Sequence, residues 1–274
     1  MIKVGLLGAE NSHAKHFAEA INGKKLYEGF KVTHIFGNDE PKMTATLCRE
    51  YDLVNSSSSS DVIENCDVIV ITYRKGSLHH EYAMQALRAG KAAFIDKPFT
   101  CDLAQAEEIV NYARENKLLI CGGSNLKGLS SLAPVKKKIV SGTTTVISFA
   151  AEVDSEYDGY WFYGSHSAEL CLELFGTDYR SIKVSLNGAS LVATVLYEDR
   201  QCIIINSPKM RNLGITVYNG DSAELFHLPL DYHNVGSNDL CTMIKTGKMP
   251  RDYDFYTASV RLTGDIIAAI KSGA

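Results

Sequence analysis

The sequence predicts an α/β chain in which a doubly wound parallel sheet is followed by an α+β domain with a mostly antiparallel sheet. Over the first 125 residues, short apolar β-type runs alternate with segments of helical period, the pattern of parallel strands covered on both faces by helices. After Asn125, β-type runs follow one another closely with Asn-Gly turn signals between them, the pattern of antiparallel hairpins. The chain has 274 residues, about twice a typical domain, which accommodates both parts.

In the first part the strand runs are residues 2–7, 31–36, 67–72, 92–95 and 118–121. Residues 13–21, 43–51, 80–89 and 103–116 carry the helical period between them, so each crossover is expected to be right-handed and ligands to gather at the carboxyl ends of the strands. Residues 55–60, an Asn and five serines, read as a solvated loop. In the second part residues 132–140 read as a helix with Lys136, Lys137 and Lys138 near its end, where cations suit the dipole, and Gly142 as its stop. The β-type runs are residues 144–153, 181–186, 191–197, 201–205, 214–218 and 223–228, with Asn187-Gly188 and Asn219-Gly220 as turns. Residues 167–175 and 255–270 are the expected helices. The domain boundary falls near residues 122–126, giving domains 1–123 and 124–274.

Composition removes several function classes. Hydrophobic residues make up 45% and charged residues 22%, which excludes disorder and a small stapled scaffold. Lys+Arg number 28 against 32 Asp+Glu, so no basic excess is available for a phosphate backbone and nucleic acid is not expected as a partner. No apolar run reaches the roughly 20 residues of a bilayer span, so a membrane is not expected either. The seven cysteines are widely spaced and never form C-x-x-C; this indicates neither a disulfide framework nor a zinc site and fits a reducing cytoplasm. No metal site is expected: His13 and His16 share a helix face, but no further ligands are identified. Gly-x-Ser-x-Gly and His-Glu-x-x-His are both absent, which argues against the common hydrolases.

The first strand ends Gly8-Ala9-Glu10-Asn11-Ser12-His13 and runs into a helix. Such a tight turn can hold a pyrophosphate on backbone N–H groups and the positive helix end. Gly8 matches a fingerprint glycine; Glu10 stands near the place of the second. The second strand ends Gly37-Asn38-Asp39, where a dinucleotide site often places an acid against the ribose 2'-hydroxyl. Gly37 most nearly occupies that place, followed by Asn38, so weak discrimination between NAD and NADP is expected. Thr72 and Tyr73, at the end of another strand run, complete the candidate cofactor loops.

The segment 79–100 contains His79 opening a helix, Ala-Leu-Arg-Ala-Gly-Lys, a short strand and Asp96-Lys97-Pro98. It resembles the Gfo/Idh/MocA family of nicotinamide-dependent oxidoreductases, whose pattern ends in Glu-Lys-Pro. Gly123-Ser124-Asn125 resembles the family's Gly-x-Asn at the domain junction, and residues 161–169 resemble a subgroup written Trp-Tyr-Gly-x-His-x-x-Glu. The family commonly has an Asp four residues before the histidine; Phe162 stands there.

The resemblance implies a Rossmann-type first domain that binds NAD or NADP, and a second domain for substrate binding and oligomerisation. It implies Lys97 as a catalytic residue, with His79 and Asp96 near the cofactor. His166 would exchange a proton with a substrate hydroxyl, with Tyr163 assisting; Asn125, Tyr160, Trp161 and Glu169 would contact substrate. An ammonium at a strand's carboxyl end can polarise a carbonyl oxygen, and an imidazole can move a proton near neutral pH. The expected activity is hydride transfer to or from a hydroxyl or carbonyl carbon of a sugar, cyclitol or small polyol, by a homodimer or larger homo-oligomer. Glu10 in the loop and Phe162 motivate a second reading, a cofactor-binding sensor or partner subunit without turnover. A third is a lyase or glycoside-cleaving enzyme using transient oxidation.

Overall fold

β1 (Ile2–Leu7) is the strand from which the first sheet grows in both directions. The computed structural model describes residues 1–229 and 232–273. From β1 the chain passes through α1 (Ser12–Ala18), which continues as a π turn at Glu19–Gly23, into β2 (Phe30–Phe36), α2 (Pro41–Tyr51) and the short β3 (Val54–Asn55). It then returns to the other side of β1 through α3 (Ser59–Asn65), β4 (Val68–Ile71), α4 (His79–Arg88), β5 (Ala92–Ile95), α5 (Leu103–Glu115) and β6 (Ile120–Gly122). The strand order is β3-β2-β1-β4-β5-β6, with every neighbouring pair parallel. The chain therefore reverses its winding between β1 and β4, the point at which such sheets bind ligands. All four residues of β4 are buried, so this strand reads as an unbroken apolar run because neither face meets water.

The serine run is partly structural. Ser58 caps α3, its Oγ accepting the Asp61 N–H at 3.1 Å, so Ser59 and Ser60 belong to a helix rather than to the expected loop.

In the second unit, α6 (Leu132–Lys136) is shorter than the helix expected at 132–140. β7 (Thr144–Phe149) is followed by α7 (Trp161–Phe175), β8 (Ser181–Asn187), β9 (Ser190–Leu196), β10 (Gln201–Asn206), β11 (Leu213–Asn219) and β12 (Ser222–Leu228). The order is β12-β11-β7-β10-β9-β8, antiparallel except for β7 with β10. Both Asn-Gly signals make hairpins, with Gly188 at φ 59° and Gly220 at φ 53°, the left-handed conformation that tight hairpin turns require. α7 begins six residues before the expected helix at 167–175, so Trp161, Tyr163 and His166 are helical residues rather than loop residues.

α8 (Val235–Thr246) had no counterpart in the sequence reading, and α9 (Tyr253–Ser272) closes the chain. The chain divides into unit 1, residues 1–125 with 233–256, and unit 2, residues 126–232 with 257 onward. Residues 233–256, assigned from sequence to the second domain, thus belong to the first. α8 packs against β5 and β6, and its Leu240, Cys241 and Met243 join the core of Val4, Val70, Phe94 and Cys121. Gly236 permits this approach, because a Cβ there would stand 3.0 Å from both Asn125 Oδ1 and Phe94 Cζ.

Candidate functional site

In unit 1 the loops after β1, β2, β4 and β5 meet at the carboxyl end of the sheet. Gly8 has φ +95°, and a Cβ on it would lie 2.6 Å from Tyr73 N. The glycine therefore lets the first loop pack on the end of β4. Thr72 Oγ1 donates to Gly8 O at 3.0 Å, and Tyr73 Oη donates to Asn38 Oδ1 at 2.8 Å while its ring stacks on Tyr82 at 4.4 Å. Both side chains were expected to touch the cofactor; both are buried and brace neighbouring loops. Burial, reinforced by Tyr82, pushes the Tyr73 phenol above its usual range.

Asp39 was not among the expected site residues. Ala9 N–H donates to Asp39 Oδ1 at 2.9 Å and Oδ2 at 3.0 Å, and Glu10 N–H donates to Oδ2 at 3.0 Å. Gly37, the expected place for cofactor contact, is buried with its Cβ position filled by Thr44 and Ala9; Asn38 beside it is exposed. Glu10 faces Arg74 Nη1 at 3.7 Å.

Asn11 caps α1, its Oδ1 accepting the His13 N–H at 3.2 Å. Among the described residues, the backbone N–H groups of Asn11 and Ser12 meet no acceptor, so the loop keeps donors for an anion. With the Asp39 carboxylate beside it and the start of α1 behind it, this loop fits a dinucleotide, whose pyrophosphate needs N–H groups and whose ribose needs an acceptor.

The end of β5 holds the densest charge cluster. Asp96 is fully buried, and its Oδ2 accepts from Asn11 Nδ2 at 2.7 Å and pairs with His13 Nδ1 at 2.7 Å. Burial alone would raise its pKa; the charge and hydrogen bond of His13, with the charges of Lys97 and His79, outweigh burial and hold it at about 2. Among the described residues, Asp96 Oδ1 meets no hydrogen-bond partner. Lys97 is 4% exposed and joined to Pro98 by a cis peptide. His79 is fully buried, Nδ1 lying 2.7 Å from Pro98 O and Nε2 2.8 Å from Tyr73 O. It therefore ties the Lys97 segment to the end of β4. His16 lies between His13, tilted at 5.6 Å, and His233, edge-on at 4.5 Å. Burial first, then the charges of those two neighbours, bring its pKa down to about 4, so it is neutral at pH 7. Among the described residues no group of three or more His, Cys, Asp or Glu is arranged to hold a metal ion.

In unit 2, His166 is 8% exposed on α7, with Phe149 edge-on at 5.7 Å and Tyr163 tilted at 5.4 Å. Tyr163 is 39% exposed. Phe162 is buried against Tyr157 and Tyr163, so apolar packing occupies the position where the resemblance implies a carboxylate. Two expected substrate contacts are interior residues. Tyr160 is buried and donates to Asn206 Oδ1 at 2.7 Å; Glu169 is buried and accepts from Lys127 Nζ at 2.8 Å. Trp161 remains half-buried, its ring over Gly264. Asn125, in unit 1, is 6% exposed just beyond β6. Lys127 escaped the sequence reading because a single lysine carries no signal of a buried partner 42 residues away.

Residues 2–123 match the Gfo/Idh/MocA oxidoreductase family, described as an NAD-binding Rossmann fold. The uncharacterized oxidoreductase YhhX of Escherichia coli K12 is 28% identical over 233 residues, covering 76% of this chain and 65% of that protein. The chain thus spans less than two thirds of that relative's length. Two solved structures share the fold over nearly the full chain. UDP-N-acetylglucosamine 3-dehydrogenase GnnA from Acidithiobacillus ferrooxidans superposes with TM-score 0.80 at 14% identity, covering 99% of this chain and 98% of the other. GenD2 from gentamicin A biosynthesis, in complex with NAD, superposes with TM-score 0.83 at 12% identity, covering 100% and 95%.

Proposed function

Since residues 2–123 belong to the Gfo/Idh/MocA oxidoreductases, we propose that the chain is an NAD(P)-dependent dehydrogenase or reductase. Its substrate is a hydroxyl or carbonyl carbon of a sugar, cyclitol or related small polyol. The observation that carries this reading is Lys97, a buried ammonium at the end of β5 beside an ionised Asp96, on the same edge of the sheet as the β1–α1 loop. The likeness in fold to a protein named as a nucleotide-sugar dehydrogenase supports the substrate class.

The bound dinucleotide would supply the hydride acceptor or donor. The loop of Ala9 through His13 would hold it, with the N–H groups of Asn11 and Ser12 as the open donors because those of Ala9 and Glu10 bind Asp39, and Lys97 would offer its charge to the substrate oxygen. His166 takes or returns the hydroxyl proton, with the exposed phenol of Tyr163 next to it. Asn125 and Trp161 are the remaining candidate substrate contacts.

The half-buried face of the second sheet, carrying Val146, Val192, Ile203 and Ile205, supports self-association as a homodimer or larger homo-oligomer, which sedimentation would test. None of the seven cysteines forms a disulfide, in keeping with a cytoplasmic setting.

The test is a screen of sugars and polyols for reduced-cofactor formation, followed by Lys97→Met and His166→Asn. Lys97→Met should leave the cofactor dissociation constant nearly unchanged and lower turnover by about 100-fold or more, the scale of losing a general acid or electrostatic stabiliser. Full activity in Lys97→Met ends the assignment. Substrate conversion without net cofactor turnover would favour the transient-oxidation reading, and cofactor binding with no turnover the sensor reading.

A further inference from the structure

We propose that Asn206 is a positioning residue for His166: one buried amide fixes the helix on both sides of the imidazole, together with the strand whose aromatic ring packs against it. The proposal rests on the reading of His166 as the group that exchanges the hydroxyl proton. All the residues concerned lie in unit 2. Asn206 closes β10 and is buried beside Phe149, its register partner at the end of β7. Its Nδ2 donates to Phe149 O at 2.9 Å and to Ser167 Oγ at 2.9 Å, and its Oδ1 accepts from Tyr160 Oη at 2.7 Å. A carbonyl oxygen can only accept, so Phe149 O decides which end of the amide is the nitrogen, and the phenol donates to the other end.

Tyr160 directly precedes α7 and Ser167 directly follows His166, so the amide holds the helix at two points with the imidazole between them. The third partner belongs to the strand whose Phe149 ring stands edge-on to His166 at 5.7 Å. Gly164 serves the same clamp. The Tyr160 ring lies across it, where a Cβ would stand 2.4 Å from Tyr160 Cε1 and Cζ, so a side chain at this position would turn the phenol from the amide. Phe149, Tyr160 and Ser167 are all buried. An unmade hydrogen bond is costly there, and the satisfied set therefore holds one arrangement. A general base must meet its proton within about 3 Å, and misplacement by about 1 Å can cost on the order of 100-fold in rate. The clamp keeps that distance by keeping the helix turn in place.

The test weakens the clamp by degrees in the full-length protein. Ser167→Ala and Tyr160→Phe remove one bond each; Asn206→Ser, too short to span its partners, removes the set. NMR of the histidine rings reports the geometry without a substrate, the His166 signals being those lost in His166→Asn. In Asn206→Ser they should shift or double as the imidazole leaves its single place against the Phe149 ring, while the signals of His13 in unit 1 stay in place. With a substrate from the sugar and polyol screen, Asn206→Ser should lower kcat by about 10- to 100-fold, with KM and the cofactor dissociation constant within about twofold of wild type. In a His166→Asn background, Asn206→Ser should change kcat by less than about twofold. Unmoved His166 signals, or losses that multiply in the double variant, overturn the proposal and leave Asn206 a brace of the fold alone. If Asn206→Ser does not fold, Ser167→Ala and Tyr160→Phe carry the same test, since each removes a single bond. Full activity in His166→Asn ends the reading of His166 as the proton carrier, and the positioning role with it, whatever the His166 signals do in Asn206→Ser.

Discussion

The ion pair of Lys127 with Glu169 allows a quantitative test of how unit 2 is held together. The two charged atoms are 2.8 Å apart, and the side chains are 3% and 2% exposed. Lys127→Met keeps the aliphatic stem and removes the ammonium, leaving the carboxylate buried without that partner. Breaking a buried pair from one side costs about 3–5 kcal/mol, far more than the 0–1 kcal/mol typical of a surface pair. Replacing both members by apolar residues of similar size removes the charge together with its partner, and is near neutral or stabilising by roughly 1–4 kcal/mol. Lys127→Met with Glu169→Leu should therefore recover most or all of the loss. Trp161 is the sole tryptophan and lies in the same unit, so its fluorescence in a urea titration reports this unit's unfolding specifically. A loss under about 1 kcal/mol in Lys127→Met would place the pair in the surface class and refute the reasoning. So would a double variant no more stable than the weaker single variant.

Two further outcomes follow from unit 1. Asp96 titrates at about 2 in the folded chain against 3.8 ordinarily; a depressed carboxylate pKa stabilises the fold above the unfolded value, and that contribution is lost as pH falls through the folded one. The stability difference between wild type and Asp96→Asn should accordingly shrink by about 2 kcal/mol between about pH 5 and pH 2; a difference constant with pH in urea titrations would dismiss the cluster as the cause. Gly37→Ala should destabilise by about 1–3 kcal/mol through overpacking, and adding Thr44→Ala should recover only part of it, because Ala9 Cβ still lies 2.6 Å from the new methyl. An unchanged melting temperature in Gly37→Ala would show that the neighbours give way freely.

Much of the site was legible because some of its signals are local. Gly8, Lys97 and His166 each stand in a run whose neighbours declare a strand end or a helix, and the structure puts Gly8 and Lys97 on the expected edge of the sheet. The roles of Thr72, Tyr73, His79, Tyr160 and Glu169 were not legible. Whether a polar side chain faces a ligand or a partner inside the protein depends on what the fold brings against it, and each of these five meets a partner distant in sequence or a buried carbonyl. Asp39 shows the same limit from the other side: it looks like an ordinary loop acid until the loop after β1, 29–30 residues earlier, is laid beside it.

The sequence by itself determined the alternation of strands and helices, the change to antiparallel pairing after Asn125 and the two Asn-Gly hairpins. Periodicity and turn chemistry act over a few residues and need no distant partner. Only the tertiary structure decided that residues 233–256 return to the first unit. α8 is amphipathic whichever sheet receives it; it packs on β5 and β6, where the absence of a side chain at Gly236 allows its close approach. The same holds for the buried charges. Asp96 with His13 and Lys127 with Glu169 are 83 and 42 residues apart, and a charge is tolerated in the interior only where the completed fold supplies its counterpart.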